Sequence, residues 1–260
     1  MTLTLALAAT ATLVALAFSA STYERWLTRR RRHELAWSLS LLFFACGSLA
    51  LWAGAALGWD GTSFRLFYLF GAVLNVPFLA LGTVYLLAGQ ERGDRIGAAV
   101  ALGGAFAAGV VLVAPLRGTI DPGLLPQGSD VFGPLPRILA AVASAAGASV
   151  VFVGAAWSAA RLARRRRSDA PGTPVPPARL AIGNLLIAAG TATLSASGLL
   201  NSVLGEMQAF AVTLTVGITI LFVGFLVASA PHRPPLAGVG PVVTKVPATG
   251  LSHIDGRATG

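Results

Sequence analysis

Asn75 stands two residues before Pro77 in the middle of an apolar run. Proline removes a backbone donor and frees the carbonyl one turn earlier, which in an apolar solvent neighbouring helices must satisfy. A buried amide beside a helix break serves either as a binding or hinge site, or as a kink held by an interhelical hydrogen bond worth roughly 0.6–2 kcal/mol. The kink is the simpler reading. Further along, Thr191, Ser195 and Gly198 share one helical face and Thr193, Ser197 and Asn201 another, followed by Thr213, Thr215 and Thr219. Hydroxyls and small residues let helices approach closely, and packing is their default role. Otherwise Thr191, Ser195, Thr215 and Thr219, with Asn75 and Asn184, line a narrow neutral-polar cavity suited to an uncharged solute or a lipid headgroup.

Other chemistries lack their residues. A retinal Schiff base needs a lysine in a late helix, and the one lysine, Lys245, lies in the C-terminal tail. Proton-coupled carriers and voltage sensors place ionisable groups at membrane depth, where this chain has none to place. His33, His232 and His253 are scattered and Cys46 is the single cysteine, so no metal or haem ligand set and no internal disulfide is expected. No phosphate loop, nucleophile–base constellation or dinucleotide fingerprint is present. An enzyme would have to use Asp60, Asp121, Asp130 and Glu206, which are dispersed and read as solvated loop charges. No catalytic residue and no cofactor is expected.

The elements that must position these residues follow from composition. Of 260 residues, 55 % are hydrophobic and 11 % charged, with a mean hydropathy of +0.74. Soluble domains carry about 25 % charged residues, so water is not the main solvent. Crossing about 30 Å of hydrocarbon takes roughly 20 apolar residues in a helix. Seven such runs are read: Leu3–Thr22, Leu35–Leu57, Leu66–Ala88, Ile96–Ala114, Ile138–Ala160, Leu180–Leu200 and Ala209–Ala230, all free of Asp, Glu, Lys, Arg and His. The first run has arginine after it and none before it, which favours a retained helix over a signal peptide. The fold class is therefore an all-α seven-helix membrane bundle over residues 1–230, with a disordered tail over 231–260.

Direction follows from the asymmetry of basic residues. One set of loops (23–34, 89–95, 161–179 and the tail) holds sixteen Lys or Arg, and the other holds three, Arg65, Arg117 and Arg137. This places the N-terminus outside and the C-terminus in the cytoplasm. The two basic runs, Arg29, Arg30, Arg31, Arg32 and Arg164, Arg165, Arg166, Arg167, suit an anionic leaflet at about 1 kcal/mol per arginine. The same charge would also suit a protein partner; no nucleic acid is expected. Trp37, Trp52, Trp59 and Trp157, with Tyr23 and Tyr85, fall near span ends, where aromatic side chains anchor at the interface. The proline-rich segment 115–137 either folds over the outer mouth of the bundle or only joins two helices; a plain connector is the simpler reading.

The two halves also align. Arg29–Arg32 matches Arg164–Arg167. Leu42, Ala45, Gly47, Leu51 and Ala53 match Leu185, Ala188, Gly190, Leu194 and Ala196, and Leu79, Gly82 and Ala88 match Leu221, Gly224 and Ala230. This describes a parallel 3+1+3 repeat with the fourth helix as connector. In layout it is similar to the SWEET sugar transporters, but their proline in the first helix of each half and their Pro-Gln motif are missing. The similarity covers topology alone.

The resulting expectation is a multi-pass protein of a bacterial-type cytoplasmic membrane, an uncoupled carrier or binding protein for a neutral small molecule or lipid. The alternative is a non-catalytic membrane component (a sensor, assembly factor or subunit) that contacts partners through its Arg-rich loops.

Overall fold

The computed structural model describes residues 2–166, 182–183, 185–194 and 207–229. Almost all of them are helical: α1 (Thr2–Arg29), α2 (Arg32–Leu57), α3 (Gly61–Ala88), α4 (Gln90–Val113), α5 (Pro134–Arg166), α6 (Leu185–Leu194) and α7 (Met207–Ser229). Six of these, all but α6, are long and apolar enough to cross a membrane, as in a multi-pass membrane protein. The expected span Leu180–Leu200 is described only through α6 and the pair 182–183; its remainder, with Asn184 and Ser195, lies outside the described residues, as do Arg167 and the tail.

The helices outrun the apolar runs because a helix also satisfies its backbone at the water interface. Segment 23–34, expected as a loop, is helix apart from Arg30 and Arg31. Arg30 makes the turn at φ 53°, in left-handed space, with its backbone N–H donating to Trp26 O at 2.8 Å. Elsewhere Gly58 (φ 93°) and Gly89 (φ 85°) turn the chain between α2 and α3 and between α3 and α4.

The buried stripe of α1 is built mostly from small residues. Along α1, Thr4, Ala8, Ala11, Ala15, Phe18 and Thr22 recur every three or four residues and are buried, whereas Leu13 is 67 % exposed. Lipid tails are as apolar as leucine, so helices gain by turning small residues inward and approaching closely. The stripe meets α2, where Ser19 Oγ donates to Ser38 O at 2.9 Å and Ser38 Oγ returns a bond to Ser19 O at 3.1 Å. Thr215 Oγ1, on α7, reaches Leu7 O at 3.0 Å. Thus α1 packs on α2 and on α7, α2 on α3, and α3 on α5. Backbones touch at Gly47, where an added Cβ would lie 3.0 Å from Gly71 N. Helix α4 is peripheral: 11 % of its apolar window is buried, against 56 % for α2.

The segment after α4 is more than a connector, correcting the simpler expectation. Leu116 and Phe132 form an antiparallel bridge, and Leu125, Val131 and Phe132 (1 % exposed) sink into the core. Trp59, expected to anchor at the interface, is instead 3 % exposed, and its backbone N–H donates to Pro122 O at 3.1 Å. The apolar side chains within the loop supply the reason: covering the ends of α3 and α4 removes them from water. Trp52, Trp157 and Tyr23 are exposed.

Asp60 starts α3 with a capping box. Its Oδ1 accepts from Ser63 N at 2.7 Å, and its own N–H donates to Ser63 Oγ at 3.0 Å. The bond from the Ser63 amide, then that from its side chain, hold the Asp60 carboxyl below its usual range. A carboxyl with a lowered folded pKa stabilises fully above its unfolded pKa of about 3.9, and that contribution is lost as pH falls through the lower folded value. Asp60→Ala is therefore expected to destabilise by about 0.5–2 kcal/mol at neutral pH, with the difference from wild type shrinking in acid to what a neutral cap supplies. Asp60→Asn should retain the cap and flatten the pH dependence, read by amide exchange across residues 61–64.

Candidate functional site

The break at Asn75 and Pro77 is built from three helices. Residues Tyr68–Leu74 of α3 form a π-turn that runs directly into Asn75, a wide turn that leaves carbonyls short of intrahelical donors. Neighbouring helices supply the missing donors. Ser40, on α2 and 1 % exposed, places Oγ 2.9 Å from the Asn75 carbonyl and 2.8 Å from its Oδ1. Ser144, on α5, donates to Ala72 O at 2.8 Å. The hydrogen bonds of Asn75 thus join α2 to α3.

Nearer the arginine-rich end is a cavity of about 60 Å³ lined by Phe18, Trp37, Leu79, Val151, Thr191 and Phe225, among others. These come from α1, α2, α3, α5, α6 and α7 respectively, so six helices contribute to its walls. Its other hydroxyl is Thr83. Thr191 also donates to Ile187 O at 2.8 Å. Of the residues singled out in sequence, Thr191 lines this cavity, whereas Asn75, Pro77, Thr215 and Thr219 do not. Thr219 Oγ1 donates to Thr215 O at 2.7 Å.

No protein family, no curated protein and no solved structure matches this chain. The reading therefore rests on the geometry itself.

The first arginine run does several jobs. Arg32 pairs with Asp94 at 2.5 Å, and Asp94 also accepts from the Tyr85 hydroxyl at 2.9 Å, joining α2, α4 and α3. Arg30 lies over the Trp26 ring at 5.0 Å. Arg29 and Arg31 are exposed. Arg164, Arg165 and Arg166 continue α5 as helix. The carboxylates of the opposite end shape backbone: Asp60 caps α3, and Asp121 accepts from Gly123 N at 2.8 Å. Asp130 takes a bond from Ser129 Oγ at 3.0 Å. Glu206 lies outside the described residues. Among the described residues no group of three His, Cys, Asp or Glu could hold a metal ion.

Two groups of residues escaped the sequence reading. One is Arg65, whose guanidinium donates to Val111 O at 2.5 Å and Ala114 O at 2.7 Å. The other is Arg25 with Glu34 at the foot of the α1–α2 hairpin. Periodicity could have found this pair. Half-buried Arg25 follows Thr22 by three in the register of the buried stripe of α1, and Glu34 precedes Ser38 by four on the buried stripe of α2.

Proposed function

We propose that this chain is a seven-span protein of the cytoplasmic membrane, N-terminus outside and C-terminus cytoplasmic, acting as an uncoupled carrier or binding protein for a neutral small molecule or lipid. The observation that carries the reading is this cavity, touched by six different helices and lined without a charged side chain. Such a lining suits an uncharged or apolar group, since it offers nothing to offset the desolvation of an ion.

A parallel 3+1+3 repeat is supported by the packing order. A two-fold axis relating α1–α2–α3 to α5–α6–α7 exchanges the α3–α5 contact with the α7–α1 contact, and both are present. Gly47 lies against the backbone of α3, and its aligned partner Gly190 against that of α7. Peripheral α4 suits a connector. At about 60 Å³ the cavity is well below the roughly 150 Å³ that admits benzene in an engineered apolar site. A ligand of that size must therefore part the helices, as a carrier does between its two open states.

The test is uptake and equilibrium binding in proteoliposomes over a panel of short alcohols, glycerol, urea, a monosaccharide and medium-chain fatty acids. At least one is expected to bind or cross, and Thr191→Phe to reduce that about tenfold or more by filling the cavity. Asn75→Leu tests whether the kink belongs to the same site. A panel with no binder, or a binder indifferent to Thr191→Phe, overturns the reading.

A second reading, a non-catalytic component acting through a protein partner, draws on the commitment of Asn75, Thr191, Thr215 and Thr219 to internal hydrogen bonds. Under it, changing Arg164–Arg167 to glutamine removes a co-purifying protein and leaves the bundle intact.

A further inference from the structure

Arg25 and Glu34 are the last members of the facing stripes of α1 and α2, one step beyond the reciprocal Ser19–Ser38 bonds. The Arg25 guanidinium carbon sits 4.0 Å from the centroid of the Phe225 ring on α7, which holds its plane. The Nε and Nη2 atoms of Arg25 are buried and have no hydrogen-bond partner. They form the edge of a guanidinium that grips a carboxylate or phosphate with two parallel bonds. Glu34 is 5 % exposed, and its Oε2 is likewise buried without a partner. The two side chains are close enough to interact electrostatically, yet the ion pair present among the described residues is Arg32–Asp94. Orphaned buried polar groups are rare and point to an occupant. A two-donor edge and a buried acceptor together call for a group that accepts two hydrogen bonds and donates one.

Depth identifies the source of that group. The apolar run Leu3–Thr22 ends three residues before Arg25, and 20 helical residues span about 30 Å, the hydrocarbon thickness. Arg25 therefore stands at headgroup level, beside the exposed Tyr23, whose ring lies 5.3 Å from that of Trp26. Between residues 24 and 34, Arg25, Arg29, Arg30, Arg31 and Arg32 outnumber Glu24 and Glu34, so the surroundings favour an anion. We propose that Arg25 and Glu34 form a headgroup site for a glycerophospholipid that carries a hydrogen-bond donor beyond its phosphate. Arg25 takes the phosphodiester, and Glu34 takes the ammonium of an ethanolamine or the hydroxyl of a glycerol. The site adjoins the cavity through Phe225, whose ring lines the cavity and carries the Arg25 guanidinium of the site.

The experiment uses the full chain in nanodiscs of phosphatidylcholine doped with phosphatidylethanolamine or phosphatidylglycerol, with retained lipid counted by native mass spectrometry. One doped lipid is expected to be retained about tenfold over phosphatidylcholine, whose headgroup offers no donor. Arg25→Lys, which keeps the charge but loses the fork, should abolish most of this retention. Glu34→Gln should keep phosphate binding and lose the preference over phosphatidylcholine. Equal retention of all three lipids, or no effect of Arg25→Lys, overturns the proposal and leaves Arg25 and Glu34 as partners of each other. Displacement of the retained lipid by millimolar inorganic phosphate would overturn the lipid assignment in favour of a free anion.

Discussion

Arg65→Met is expected to lower stability by about 3 kcal/mol and to release the loop that covers the start of α3 and the end of α4. The last carbonyls of a helix lack intrahelical donors, and the C-terminal end of the helix dipole favours a cation. Arg65 meets both needs, with bonds to Val111 O and Ala114 O from a position one turn into α3. Its guanidinium also stands 5.9 Å from the Phe132 ring centroid, beneath the loop. Hydrogen bonds to charged groups contribute about 1.5–3 kcal/mol each, and removing the donor strands two acceptors in a half-buried place. Thermal unfolding in detergent measures the loss, and faster amide exchange at residues 117, 131 and 132, whose N–H groups are bonded within the loop, locates it. Arg65→Lys has one ammonium for two carbonyls and should recover about half. An unchanged melting point for Arg65→Met would show that water satisfies both carbonyls unaided.

Gly190→Ala is expected to be nearly as damaging, although it adds a single methyl group. A Cβ there would lie 2.7 Å from Leu221 N and 2.9 Å from both Gly217 O and Leu221 Cα. All three are backbone atoms and cannot rotate aside, so α6 and α7 must separate. Overpacking of this kind costs typically about 1–3 kcal/mol, occasionally more, and here also gives up the neighbouring Gly217–Leu194 and Gly224–Ile187 contacts. The control lies in α4, where Gly103 and Gly109 face open space. Alanine at either should be neutral or stabilising by up to about 1 kcal/mol through helix propensity. A detergent denaturation series that ranked Gly190→Ala with these controls would refute the close helix contact.

How far the candidate site could be read in advance depended on the kind of interaction. Asn75 and Pro77 stood out because a proline and an amide in an apolar run are conspicuous by type. Their partner Ser40 did not, since one serine among many small residues carries no mark of which helix it will face. Arg25 was legible as a charge that orients the chain, but its burial with Glu34 required continuing the small-residue stripe of α1 past the end of the apolar run. Trp59 was misread because nearness to a span end describes height across the membrane and not which side of the helix faces lipid. The long segment after α4 looked like a connector by its prolines, while its Leu116, Leu125, Val131 and Phe132 were already apolar enough to seal a core.

What the amino-acid order by itself determined was the solvent: stretches of some twenty uncharged residues, interrupted by arginine, belong in helices that cross lipid. That follows because transfer free energies and backbone satisfaction add up locally, residue by residue, along one helix. Only the tertiary structure decided which face of each helix turns inward and which polar groups meet. Arg65 with Val111, Ser40 with Asn75 and Thr215 with Leu7 are separated by 46, 35 and 208 residues. Their pairing depends on helix rotation and close approach, which arise from the fit of several helices at once and are not encoded in any single one.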